Sequence, residues 1–264
     1  MKILRINIYQ PHAHYRIPYS MNRRLTYPIP PYSTVIGFLC NISGINDQRK
    51  SLYETIKNLK ISIAGKFDTK VTEYVWFRNL AKTKHIKYYF SPDIRSKNGQ
   101  IGHIGGQSPV KIDVLENMEL FIYLYHERED EIVKIKQKLE NPDDRLQPIH
   151  LGRAEDWIVI KDIKILGESD ILVKKINGLF DYFFWVPEKM VKFDGVDIDW
   201  DKVEGNIYYL TTLSKIQDYE KHYNHAEKKI YKKIRAKLSE GKMKNISTLF
   251  DKDMYIPIFL GEME

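Results

Sequence analysis

The chain has 264 residues, 43% of them hydrophobic and 12% aromatic, a composition that excludes a disordered or fibrous protein and allows one or two domains. Its formal charge of +7 and isoelectric point near 9.1 suit nucleic acid or another acidic partner. One cysteine excludes an internal disulfide, and the absence of CxxC, HExxH and GxxxxGK[ST] patterns points away from bound metals and cofactors.

Residues 2–9 alternate apolar and polar side chains around Ile6 and Ile8 and read as a strand. A loop follows that carries His12, His14, Arg16, Arg23 and Arg24 with Tyr15, Tyr19, Tyr27 and Tyr32, and no Asp or Glu occurs from Met1 to Asn46. Pro28, Pro30 and Pro31 close it, since each ring locks φ and removes a donor. Ser33 is then expected as the N-cap of a helix whose apolar face, Val35, Ile36, Leu39, Cys40 and Ile42, stops at Gly44. Residues 48–59 read as a second short helix, and 59–67, 71–78 and 84–90 as strands. Residues 91–109 break the pattern with several glycines and Asn98-Gly99, the strongest hairpin-turn dipeptide. A long strand over 111–126, an amphipathic helix over 127–140 and a strand over 158–166 follow.

That order is compatible with an α+β, ferredoxin-like (RRM-like) βαββαβ domain over 1–167, a fold whose sheet face is a common RNA platform. Residues 168–264 read as a smaller β-rich C-terminal domain, with strands at 171–176, 182–186, 206–214, 245–249 and 255–260. It is expected to carry a basic helix near 226–238, with Ile230, Ile234 and Leu238 as a narrow apolar stripe among lysines. Those lysines form either a solvated face or a contact for nucleic acid or a neighbouring subunit. No signal peptide or 18-residue apolar run is visible, so a cytoplasmic chain without a membrane partner is expected.

A basic, aromatic, acid-free loop feeding a helix N-terminus suits a phosphate backbone with splayed bases. Arg16, Arg23 and Arg24 are candidate phosphate contacts, and Ser33 and Thr34 would present first-turn N–H groups to one phosphate unless Ser33 only caps. His12 and His14 lie two apart, so on extended backbone they face one side. RNA contact, acid–base chemistry and a structural role stay open for them, and no third ligand completes a metal site. Cys40, beside Phe38, Leu39 and Ile42, reads as a buried small hydrophobe.

The blocks AHYRIPYS (13–20), RRLTYPIPPYSTVIGFLCNISG (23–44) and QPIHLGRAEDW (147–157), in this order around a glycine-rich insertion, make the chain resemble the Cas-five family, the fifth CRISPR-associated protein family, and most of all its subtype I-B branch. The resemblance covers most of 1–167 and thins beyond. It implies a Cascade subunit with a protruding β-hairpin thumb that caps the 5′ handle of CRISPR RNA. It further implies contacts with the large subunit and the first backbone subunit, and leaves target DNA near the base of the complex open as a partner. On this reading Arg78, Arg95, Lys97, His103 and Gln107 belong to the thumb region as RNA contacts. Arg153 lies near the RNA or fixes its loop, with local pairing to Glu155 or Asp156 the alternative.

The first functional reading is therefore a non-catalytic, RNA-binding scaffold. The second is a metal-independent endoribonuclease, as in the subtype I-C branch, with His14, Tyr27 or His103 as acid or base. The third is a protein-interaction domain with a basic surface and no CRISPR connection.

Overall fold

Strands buried on both faces build the central sheet. The computed structural model describes residues 1–20, 23–48, 50–78, 96–97, 100–101, 107–216 and 229–263. Strand β1 (Ile3–Ala13) runs between β9 (Gln107–Tyr125) and β10 (Val159–Leu166), antiparallel to both, with Ile6 opposite Ile122 and Ile163. Helix α1 (Tyr32–Ile42) and the short α2 (Ser51–Lys57) lead to β5 (Lys60–Lys66), which pairs antiparallel with the far side of β9. Helix α3 (Glu129–Glu140) connects β9 back to β10. The first sequence domain thus yields the strand order β10-β1-β9-β5 with helical crossovers.

The sheet continues past the expected 167/168 boundary. Strand β12 (Phe183–Pro187) adds to the edge of β5, then β14 (Lys229–Ser239) and β13 (Asn206–Ile216) follow, all antiparallel. Strands β11 (Ile171–Leu179), β15 (Lys242–Asp251) and β16 (Ile256–Ile258) form a separate three-stranded sheet. One face of the central sheet buries Leu4, Ile6, Ile8, Ile61, Ile63, Leu120, Ile122 and Leu124 against the apolar faces of the helices. The other buries Ile3, Ala64, Phe121, Tyr123, Phe184 and Val186 against Ile246, Leu249, Phe250, Ile256 and Ile258 of the small sheet. The result is a layered α+β architecture, helices on one side and a second sheet on the other.

Three expectations are corrected. The basic helix near 226–238 is the strand β14 over its described part. Ile230, Ile234 and Leu238 recur every four residues, a spacing that a strand face and a helix stripe share, and Ala236 completes the strand alternation. Pairing on both sides, with β12 and with β13, decides for the strand. Ser33 is not the N-cap of α1: the helix starts at Tyr32, and Pro31 caps it in extended backbone with no side-chain hydrogen bond. Third, His12 and His14 part company, because β1 ends at Ala13; His12 is exposed and His14 is buried.

Strand β6 (Thr69–Arg78) pairs with the first half of β9, from Thr69–Glu116 to Arg78–Gln107. β9 changes partner from β6 to β5 around Asn117, whose φ of 54° is a left-handed conformation that asparagine tolerates. Beyond β6, Ser96–Lys97 (β7) pairs with Gln100–Ile101 (β8). The expected strand 84–90, the turn Asn98-Gly99 and most of the 91–109 hairpin lie outside the described residues.

Candidate nucleic-acid interface

The loop after β1 is held from below by aromatic packing. Strand β2 (Tyr15–Arg16) pairs with β4 (Thr26–Tyr27), and β3 (Arg23–Arg24) runs parallel to Lys111 and Ile112 of β9. Tyr27 is buried edge-to-face against Trp185 and Tyr208, with ring centroids 5.7 and 5.6 Å away. The Trp185 indole N–H donates to the Pro30 carbonyl at 2.9 Å. These contacts anchor the proline segment and so set where α1 begins. Burial pushes the Tyr27 hydroxyl pKa up, which suits packing better than proton transfer.

The segment 150–157 is tied to the same loop. The buried Asp156 carboxylate accepts the backbone N–H groups of His14 and Arg153, both at 3.0 Å, and the Arg153 guanidinium at 2.7 Å. Gln10, fully buried, donates to the carbonyls of Leu151 and Asp156 and accepts the Tyr15 hydroxyl. Gly152 adopts φ +97°, and a Cβ there would sit 2.7 Å from the His14 carbonyl oxygen, so the close approach requires glycine.

Above these ties lies a cavity of about 290 Å³. Arg16, Arg24, Arg153 and Lys233 supply its positive charge, Tyr19, Tyr27 and Tyr209 its rings, and Ser33 and Thr34 its hydroxyls. His14 lines it while only 4% exposed. Its Nδ1 lies 2.7 Å from the Asp113 carbonyl oxygen, which only accepts, so Nδ1 carries the proton. Nε2 is then a bare acceptor, buried without a hydrogen-bond partner. Burial, aided by Arg153 and Arg24, lowers the His14 pKa below its ordinary value despite that carbonyl and Asp156.

The sign follows from linkage: an unfolded chain protonates this histidine near pH 6.5 while the folded one resists. Folding stability should fall as pH drops below about 6.5, and His14→Gln should flatten that fall in urea unfolding between pH 7 and 5. An unaltered pH dependence in the variant would assign the effect elsewhere.

The structure sorts the sequence candidates. His14, Arg16, Arg24, Tyr27, Ser33, Thr34 and Arg153 meet at the cavity. Arg23 is engaged instead by the buried Asp113 carboxylate of β9, at 2.9 Å, and by the Thr72 hydroxyl. Arg153 adopts the local pairing with Asp156 and Glu155, and also reaches Glu73. Arg78, Lys97 and Gln107 belong to β6, β7 and β9, whereas Arg95 and His103 lie outside the described residues. The basic run is partly consumed internally. Lys237, 7% exposed, donates to the carbonyls of Trp200, Asp201 and Val203, and Lys242 and Lys244 pair with Glu204. Cys40, expected to be buried, is only partly so, packed against the core, and that burial pushes its thiol up to about 12. Among the described residues, no cluster of three or more His, Cys, Asp or Glu side chains could hold a metal ion, and no helix is long and apolar enough to cross a membrane.

Sequence reasoning missed Gln10, Asp113, Tyr209 and, as a cavity residue, Lys233, and saw Asp156 only as a partner of Arg153 and not as the acceptor of the His14 N–H. Only the alternation of β14 would have placed Lys233 on a strand face.

A family model described as CRISPR-associated protein (Cas_Cas5) matches residues 3–172. Among solved structures, a chain of a "CRISPR RNA-guided surveillance complex" is 12% identical with a TM-score of 0.55, covering 92% of this chain and 91% of that chain. A "Cas protein" crystal structure is 14% identical, covering 97% and 98%, with a TM-score of 0.45. A CRISPR protein from Archaeoglobus fulgidus is 15% identical, covering 94% and 91%, with a TM-score of 0.37. Only the first of these likenesses carries weight, and it is one of fold. Among curated proteins none matches.

Proposed function

The chain belongs to the CRISPR-associated Cas5 family, and from that premise we propose that it is an RNA-binding subunit of a Cascade surveillance complex that caps the 5′ handle of CRISPR RNA. The observation that carries this reading is the cavity, where cations, tyrosine rings and one buried acceptor converge. Cationic walls serve phosphates, tyrosine faces serve bases, and the His14 acceptor answers a ribose hydroxyl or a base amine. Specificity then comes from unstacked handle bases rather than from duplex readout. We read the β10-β1-β9-β5 order with its crossover helices as ferredoxin-like, and the β6–β9 pairing as the base of the thumb. Contacts with the large and backbone subunits, and the assignment to subtype I-B, belong to the same proposal.

Purified protein with labelled repeat RNA in EDTA, binding and cleavage read on one gel, tests it. Handle-dependent binding without cleavage is expected. Site-specific cleavage would instead favour an endoribonuclease and direct attention to His14 and His103. Arg24→Ala with Lys233→Ala should weaken binding at least about tenfold, the equivalent of one charge-assisted contact. The slope of log affinity against log salt should flatten by about 1.4, at about 0.7 per single-strand phosphate contact. An unchanged slope would remove this cavity from the RNA path.

A further inference from the structure

Beside the cationic cavity lies a second hollow of about 350 Å³, between α1 and residues 146–152. The two share Ser33, Thr34 and Gly152, so they form one groove across the first turn of α1. Their chemistries differ sharply. Among the described residues no Lys, Arg, Asp or Glu lines the second hollow: Phe38, Cys40, Ile45 and Leu146 give it apolar walls, and Asn41, Gln147 and His150 bring polar edges. The His150 Nδ1 atom is buried and has no hydrogen-bond partner.

Gly37 sits in this hollow in mid-helix. Glycine is a poor helix former, and among the described residues nothing demands it here: a Cβ at Gly37 would meet none of their atoms within 4 Å. Helix packing does not explain a missing side chain that faces empty, uncharged space. Room for a flat ligand does.

We propose that the second hollow is a base-reading subsite: one handle nucleotide straddles the first turn of α1, with its phosphate among Arg16, Arg24 and Lys233 and its base over Gly37. Gln147 and His150 line the hollow where they would meet the base edge, Asn41 holds the 147–148 backbone in place by accepting the Gln147 N–H at 2.9 Å, and the absence of Lys, Arg, Asp and Glu among the described lining residues suits a neutral heterocycle rather than a second phosphate. The inference rests on the handle-binding reading above and adds to it where a base is recognised.

The test pairs two variants with an abasic scan of the handle. Gly37→Gln fills the hollow and Gly37→Ala fills it only slightly; both should keep or raise the Tm, because both replace glycine in a helix. Wild-type protein should lose about tenfold in affinity when one particular handle position is made abasic, the scale of one stacked base. Gly37→Gln should bind intact handle about as weakly as wild type binds that abasic RNA, and should show no further loss at that position. Gly37→Ala should fall between the two. An intact-RNA affinity and abasic profile unchanged in Gly37→Gln would overturn the subsite while leaving handle binding in place. So would a wild-type scan with no sensitive position. Wild-type protein that binds no handle RNA would overturn both readings together.

Discussion

Asp251→Ala is expected to destabilise the chain by about 3–5 kcal/mol, the usual cost of stripping one partner from a buried ion pair. Asp251 is fully buried and accepts the Arg5 guanidinium at 3.0 Å and the Tyr123 hydroxyl at 3.0 Å, as well as the backbone N–H groups of Asp253 and Met254. Arg5 and Tyr123 lie directly opposite each other on β1 and β9, so Asp251 of β15 clamps the small sheet onto the centre of the large one. Without it Arg5, with a side chain only 3% exposed, keeps Asp162 and a longer contact to Asp253. Urea unfolding measures the loss. Replacing both partners, Arg5→Met with Asp251→Leu, should cost much less than the sum of the single changes, since no orphaned charge remains. A single-variant loss below about 1 kcal/mol would mean that water reaches the pair and that the clamp is unimportant.

Trp185→Ala should cost a similar amount, about 3–5 kcal/mol, and should also reduce RNA binding. The indole is fully buried, makes edge contacts with Tyr27 and Tyr208, and donates to the Pro30 carbonyl. Its removal leaves a large void under the loop and a buried carbonyl without its donor. Because Pro30 and Pro31 lead directly into α1, the first turn that borders the cavity loses its support. Trp185→Phe keeps most of the apolar ring and loses the hydrogen bond, so about 1–2 kcal/mol is expected. Urea unfolding and handle-RNA titration of both variants check this. RNA affinity equal to wild type in a folded Trp185→Ala protein would detach the cavity from the aromatic support beneath it.

Much of this molecule is legible from local pattern. The alternation in β1 and in the long β9, the proline-led start of α1 and the amphipathic α3 all follow from periods that neighbouring residues display. The acid-free run from Met1 to Asn46 singles out a loop of which Arg16, Arg24, Tyr19 and Tyr27 line the cavity. Local charge does not show what Arg23 touches. The acid that occupies that guanidinium, Asp113, lies in another strand, and no count of local charges reveals it. The basic strand β14 failed for a different reason: apolar residues four apart satisfy both regular periods, and only pairing partners resolve them.

By itself the sequence determined the family, through the blocks around 13–44 and 147–157, and the first strand, the helix after the prolines, the long strand β9, the helix α3 and the strand β10. Only the tertiary structure decided that buried acids hold Arg23 and Arg153, that His14 presents a bare acceptor, and that Tyr209 and Lys233 complete the wall. The physical reason is distance along the chain. Ion pairing, burial and cavity shape depend on groups up to 246 residues apart: β3 beside β9 brings Arg23 to Asp113, the small sheet brings Asp251 to Arg5, and β13 and β14, added beyond β5 and β12, bring Tyr209 and Lys233 to the cavity.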